Sequence, residues 1–285
     1  MNNEYSKINF PMLKNMKRLY RTNPSGFKRA YRDESEKINS AIDVGVSPKK
    51  KDINELNVAN FAMSIADGKY LNYFIEPEVF DFLNEIPLKE NHDVSLLLKD
   101  KFMEENHGII TTLNSTKEAK YDCLTGIFHS PKIKYSIVFS ITTVQDPFDQ
   151  TYLCLSDGDT AIGITLNEKL NSDTLEIEGY SIWKMAGIII NMFYYMDAYP
   201  DAILNNPPDI VLDKLNRSNS KTIGISDEIR PFITHEMMPH LRRGHFRYLA
   251  SDYYVNKKGQ TVFIKPTFIH GEAKTIIKNE ALNIN

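Results

Sequence analysis

A chain of 285 residues, 42% hydrophobic and 25% charged, is long and apolar enough for one large domain or two ordinary ones, which excludes a low-complexity or stapled mini-protein. Its two cysteines, Cys123 and Cys154, lack metal-type spacing, so two reduced thiols in an intracellular protein are expected. The net charge of −3 hides an asymmetry: residues 1–51 carry twelve Lys/Arg against five Asp/Glu, and the remainder twenty-two against thirty-two.

The opening residues, MNNEYSKINFPMLKNMKRLYR, contain no uninterrupted apolar run of the signal-peptide kind. Over residues 4–32, Phe10, Leu13, Met16, Leu19 and Tyr20 recur at helical spacing between basic positions. This predicts an amphipathic helix ended by Asn23, Pro24, Ser25 and Gly26. A basic amino end of this kind suits phosphates or acidic protein surfaces, and it equally suits a solvated helical face. Residues 33–51 are polar and end in Lys49, Lys50 and Lys51, which reads as a loop or mobile link. Asp52, with Glu55 three residues on, is placed to cap the next helix, which Asp67 and Gly68 end. Pro77 suits the first turn of another, with Val79, Phe80, Phe82 and Leu83 on its buried side. Leu96, Leu97, Leu98, Phe102 and Met103 predict one more helix.

The period then changes. Residues 134–143, KYSIVFSITT, are β-branched and aromatic and predict a strand. Residues 152–156 and 161–166 flank Asp157, Gly158, Asp159 and Thr160 as a hairpin, and residues 174–178 add a further strand. Residues 181–199 are apolar on most sides, which predicts a helix buried against the sheet; with Lys184 inside it and too short a run, it does not predict a membrane span. Pro200, Pro207 and Pro208 break regular structure, and residues 205–229 read as a surface connection. Residues 244–250 and 261–268 form a second predicted hairpin with Gly259 in its turn. The fold class expected is α+β: a mainly helical region over residues 1–110, then an α+β region over 111–285 with an antiparallel sheet and one long buried helix.

Chemistry concentrates between residues 233 and 271. His235, His240, His245 and His270 lie there, with Arg242, Arg243 and Arg247 and the aromatics Phe246, Tyr248, Tyr253, Tyr254 and Phe263. Histidines spaced five and five converge on no metal from a single helix or strand, and HExxH is absent, so no metal is expected. P-loop, GxGxxG and GxSxG patterns are also absent, and no cofactor is expected. Imidazoles titrate near neutrality, so His240, His245 and His270, with Arg243 or Lys265 holding phosphate, have the chemistry of a metal-independent ribonuclease. The same groups suit a loop braced by hydrogen bonds to carbonyls. On a strand, Arg242 and Arg243 point to opposite faces, one inward toward a carboxylate such as Glu228, Glu236 or Asp252, and Gly244 permits close backbone approach.

Residues 239–247, PHLRRGHFR, followed by Val262, Phe263, Ile264, Lys265, Pro266 and Thr267 and then Gly271, resemble the PHxRRGHxR…V-x-P-T pattern near the carboxyl end of certain phage and plasmid proteins. That family is similar to the type V anti-CRISPR inhibitors that block production of the Cas effector rather than the finished enzyme. The resemblance covers about thirty-five residues, and Phe246 fills the place where an aromatic commonly follows the second motif histidine. It implies a protein in the host cytoplasm that recognises a nascent effector chain and promotes loss of its messenger RNA. The partners expected are thus a host defence protein or its nascent chain, with RNA or the ribosome nearby and no membrane. Arg242, Arg243, Arg247, Tyr248, Lys265, Thr267 and His270 are the expected binding groups. His240 and His245 are the catalytic candidates under the ribonuclease alternative; a third reading makes the motif a structural polar core.

Overall fold

The computed structural model describes residues 5, 11–47, 49–87, 93–112, 115–144, 150–157, 161–166, 176–177, 179–205, 219–230, 241–242, 244–265 and 267–268. Helix α1 (Pro11–Thr22) buries Leu13 and Tyr20 and stops at Asn23. A helix resumes at once, because Pro24 opens α2 (Pro24–Asp43) at a first-turn position where a missing N–H costs nothing. The stretch expected to be a link after residue 33 is therefore helical as far as Asp43, and the non-helical connection shrinks to the few residues before Lys50. α3 (Lys50–Ala66) starts at Lys49 without a side-chain cap, so Asp52 lies in its first turn and is not the cap. Gly68, at φ 72°, follows its end as expected.

Strand β1 (Leu71–Ile75) comes next, followed by α4 (Pro77–Glu85) and α5 (Asp93–Lys101). β2 (Glu104–Thr112) and β3 (Ser115–His129) form a long hairpin, and β4 (Ile137–Val144), β5 (Gln150–Ser156) and β6 (Ala161–Thr165) complete a meander. β7 (Glu176–Ile177) and β8 (Tyr180–Ser181) make a short ladder before α6 (Ile182–Ala198). Ser181 caps α6, its Oγ accepting from Lys184 N at 3.3 Å. β9 (Ile203–Leu204) and β10 (Ser220–Ile223) follow, so the stretch read as a surface connection supplies a sheet strand.

The order across the main sheet is β6-β5-β4-β3-β1-β10-β9, with β2 also on β3. The fold is α+β and the sheet is mixed: β1 runs parallel to both β3 and β10, while the meander is antiparallel. β4 occupies one edge of β3, so β2 and β1 share the other, β2 along its first half and β1 at its end.

Alternation along the strands divides the core in two. Leu124, Phe128, Ile137, Phe139, Ile141, Leu153 and Leu155 face α4, α5 and α6; Ile127, Val138 and Ala161 face α1 and α3, with Leu13, Val58, Phe61 and Ala62. The result is three layers, helices on both faces of one sheet. α6 is buried on nearly every side, from Met185 to Met196, as its continuous apolar sequence requires. Two of its buried polar side chains bridge to distant backbone: Asn191 Nδ2 donates to Ile86 O at 3.1 Å, and the Tyr195 hydroxyl donates to Gly224 O at 2.9 Å and accepts from Ser226 N at 2.7 Å. Among the described residues no helix is long and apolar enough to cross a membrane.

Candidate functional site

The carboxyl-terminal motif folds as one antiparallel ribbon. β12 (His245–Tyr248) pairs with β13 (Thr261–Ile264), and β11 (Leu241–Arg242) pairs with β14 (Thr267–Phe268). The pairs Leu241↔Phe268 and Arg242↔Thr267 continue without a slip the register of His245↔Ile264 to Tyr248↔Thr261. The two halves of the sequence motif, about twenty residues apart, are thus the facing arms of a single hairpin. The ribbon closes as expected: Leu249 N donates to Gln260 O at 3.0 Å, Gly259 N donates to Leu249 O at 2.9 Å, and Gly259 takes φ 75°, where a Cβ would be strained.

Its two faces do different work. Phe246 and Tyr248 point inward and are buried. Phe246 sits among aromatic rings, stacked on Tyr194 (6.2 Å, 7° between planes) and edge-on to Tyr195 and Tyr199, with Phe263 at 5.1 Å. Gly244 is needed for space: a Cβ there would lie 2.4 Å from the Phe263 ring and 3.1 Å from Ile264 O. This is the close approach its place in the motif suggested. The Tyr248 hydroxyl donates to Asp100 Oδ2 at 2.9 Å, and burial, then the Asp100 carboxylate, push its pKa up to about 12. Thr261 N donates to Asp197 Oδ2 at 3.0 Å, and Lys101 pairs with the same carboxylate at 3.7 Å. These bonds clamp the ribbon to the carboxyl ends of α5 and α6.

The outward face carries His245, half-buried, and Arg247, exposed. The Arg247 guanidinium lies over the Tyr254 ring, 5.6 Å from its centroid, which leaves the edges of its planar fork free for an anion or a carbonyl. Beyond it the loop tip presents Tyr253, 85% exposed, and Val255, 84% exposed, with Tyr253 edge-on to Tyr254 at 5.4 Å. Large apolar side chains this open, next to a stacked arginine, have the composition of a binding hot spot. The sequence signal was present: Tyr253, Tyr254 and Val255 interrupt an otherwise polar turn.

The nine residues singled out from sequence thus fall into groups. Arg242 and Thr267 are cross-strand partners. His245 and Arg247 share the outward face, Tyr248 faces the core, and Lys265 is exposed where β13 ends. His240, Arg243 and His270 lie outside the described residues.

A second arrangement was not anticipated. At the end of β3, His129 Nδ1 is 2.7 Å from Ser136 Oγ, and Nε2 is 3.3 Å from Asn72 Oδ1. With the amide oxygen as acceptor, Nε2 carries the hydrogen and Nδ1 accepts from the serine hydroxyl. The ring stacks on Phe74 at 4.5 Å, and burial pushes its pKa down to about 3. Ser, His and Asn in contact have the residue types of a nucleophilic triad. All three are fully buried, so no substrate reaches the hydroxyl, and the group acts as a core brace.

No family model matches this chain, and no curated protein matches it. Among solved structures, the crystal structure of AcrVA2 superposes over 92% of this chain and 100% of its own, at 12% identity and a TM-score of 0.35. A superposition at that level does not establish a shared fold.

Proposed function

We propose that this chain is an anti-defence protein of a mobile element, which binds a nascent peptide and/or RNA and so lowers expression of a host effector. The carboxyl-terminal ribbon is its binding face. One observation carries the reading: the ribbon is fixed to the core through Phe246 and Tyr248 while Arg247, Tyr253 and Val255 stand toward solvent, with Tyr254 half-buried beneath the guanidinium. A rigid base with an open cation and an open aromatic is what a peptide or an unstacked base needs for capture. The resemblance of residues 239–247 and 262–267 to the phage and plasmid pattern points to the host effector as the target.

The test is to co-produce the protein with a type V effector and follow effector protein and messenger RNA. Both are expected to fall with the wild-type chain. They recover with Arg247→Ala/Tyr253→Ser, exposed changes that alter stability by no more than about 0.5 kcal/mol. Unchanged effector levels in the presence of the wild-type chain, or full activity in the double variant, would overturn the reading.

A further inference from the structure

The amino-terminal helix carries a second surface that the ribbon does not use. From residue 5 to residue 32 there is no carboxylate, and residues 11–32 hold seven Lys/Arg. On α1, Lys14, Lys17, Arg18 and Arg21 fall at i, i+3, i+4 and i+7, one stripe of a helix roughly 10 Å long. Lys14, Arg18 and Arg21 are exposed, and Lys17 is half-buried at the border with the apolar face. Among the described residues none of the four makes an ion pair. Burial, then the Arg21 charge, lower the Lys17 pKa, so the fold holds like charges together without an internal counter-charge.

We propose that this stripe, Lys14, Lys17, Arg18 and Arg21, binds the phosphate backbone of single-stranded RNA. Three features select that partner. The apolar face of α1 is largely used, with Leu13 and Tyr20 each 4% exposed; Leu19, 56% exposed, is a single open apolar side chain, short of the continuous apolar face that a helix needs to lie in a lipid surface. No aromatic stands on the stripe to anchor a folded protein, whereas a regular polyanion needs only a row of cations and gains affinity from counterion release. α1 is laid against α3 and α2 and does not project, so it cannot enter a duplex groove, while a flexible strand can follow it. The choice of RNA rests on the function proposed above; the phosphate chemistry does not.

The experiment titrates a labelled oligouridylate with the full chain, by anisotropy, between about 50 and 200 mM salt. Four neutralised phosphates give a slope of log K against log salt near −3, at roughly −0.7 per phosphate. Lys14→Gln/Arg18→Gln, both exposed, is expected to weaken binding about tenfold and to flatten the slope by about 1.4 with no change in melting. Equal affinity and slope in that variant, no binding by the wild-type chain, tighter binding of duplex DNA, or equal displacement by polyglutamate would each overturn the proposal. The Arg247→Ala/Tyr253→Ser variant separates the two ideas. If it alone loses oligouridylate, the stripe proposal fails and the ribbon reading stands. If it binds oligouridylate normally yet no longer lowers effector expression, both stand.

Discussion

At the scale of single residues, His129 shows how a titratable group is decided by what surrounds it. Its imidazole meets a hydroxyl, an amide and a ring face in a sealed site, and no carboxylate is among these contacts. The neutral form is therefore the one that fits. The unfolded chain, with a pKa of 6.5, binds a proton that the folded chain refuses until about pH 3. Stability from this group is complete above pH 6.5 and is lost as the pH falls toward 3, at up to about 1.4 kcal/mol per pH unit. Urea unfolding of the wild type and of His129→Gln across pH 4–7 measures it. The variant is expected to be less stable at pH 7 and to lose the part of the acid dependence that His129 contributes; parallel curves would contradict this. The same logic separates Tyr248 from Arg247, one residue apart: strand alternation sends one to Asp100 and the other to solvent.

At the scale of elements, the ribbon of β11 to β14 has a tolerance that differs from face to face. Replacing Gly244 by alanine drives a methyl into the Phe263 ring, which itself packs on Phe82 and Phe246. A displaced ring in a packed cluster costs roughly 1–3 kcal/mol, or several degrees in the melting midpoint. Gly244→Ala should show that loss in a thermal melt followed by circular dichroism, and an unchanged midpoint would mean that the inward face is not packed as described. The two arms were each legible as strands in the sequence, and so was the turn at Gly259. Their shared register was not, because register depends on which inward residues meet α6.

At the scale of the whole molecule, the sheet joins two cores that share no residue. Phe61 belongs to the α1–α3 side and Phe193 to the α6 side, yet Ile127 and Phe128 are neighbours on one strand. Trp183, the sole tryptophan, packs beside the α6 core. Phe61→Ala should cost about 3–5 kcal/mol. Since both cores hang on the same strands, tryptophan fluorescence should report the lowered midpoint together with far-ultraviolet circular dichroism. A fluorescence transition left at the wild-type midpoint would mean that the two sides unfold separately.

The sequence alone determined what depends on local pattern: the helices at Pro77, Asp93 and Ile182, strands β4 to β6, the motif hairpin, the α+β class and the basic amino end; the long β2–β3 hairpin was not read from it. Periodicity and turn chemistry act over a few residues, so they can be read one segment at a time. The tertiary structure decided what depends on distant partners. β1 and β10 are short strands whose parallel neighbours lie far along the chain; β10, Ser220–Ile223, is mostly polar, and nothing local marks it as part of a sheet. The His129 brace joins residues 57 positions apart, and the outward turn of Arg247 and Tyr253 follows from which ribbon face packs on the long buried helix. Burial is a property of the assembled layers, and burial is what divides the motif into the part that holds the fold and the part left to bind.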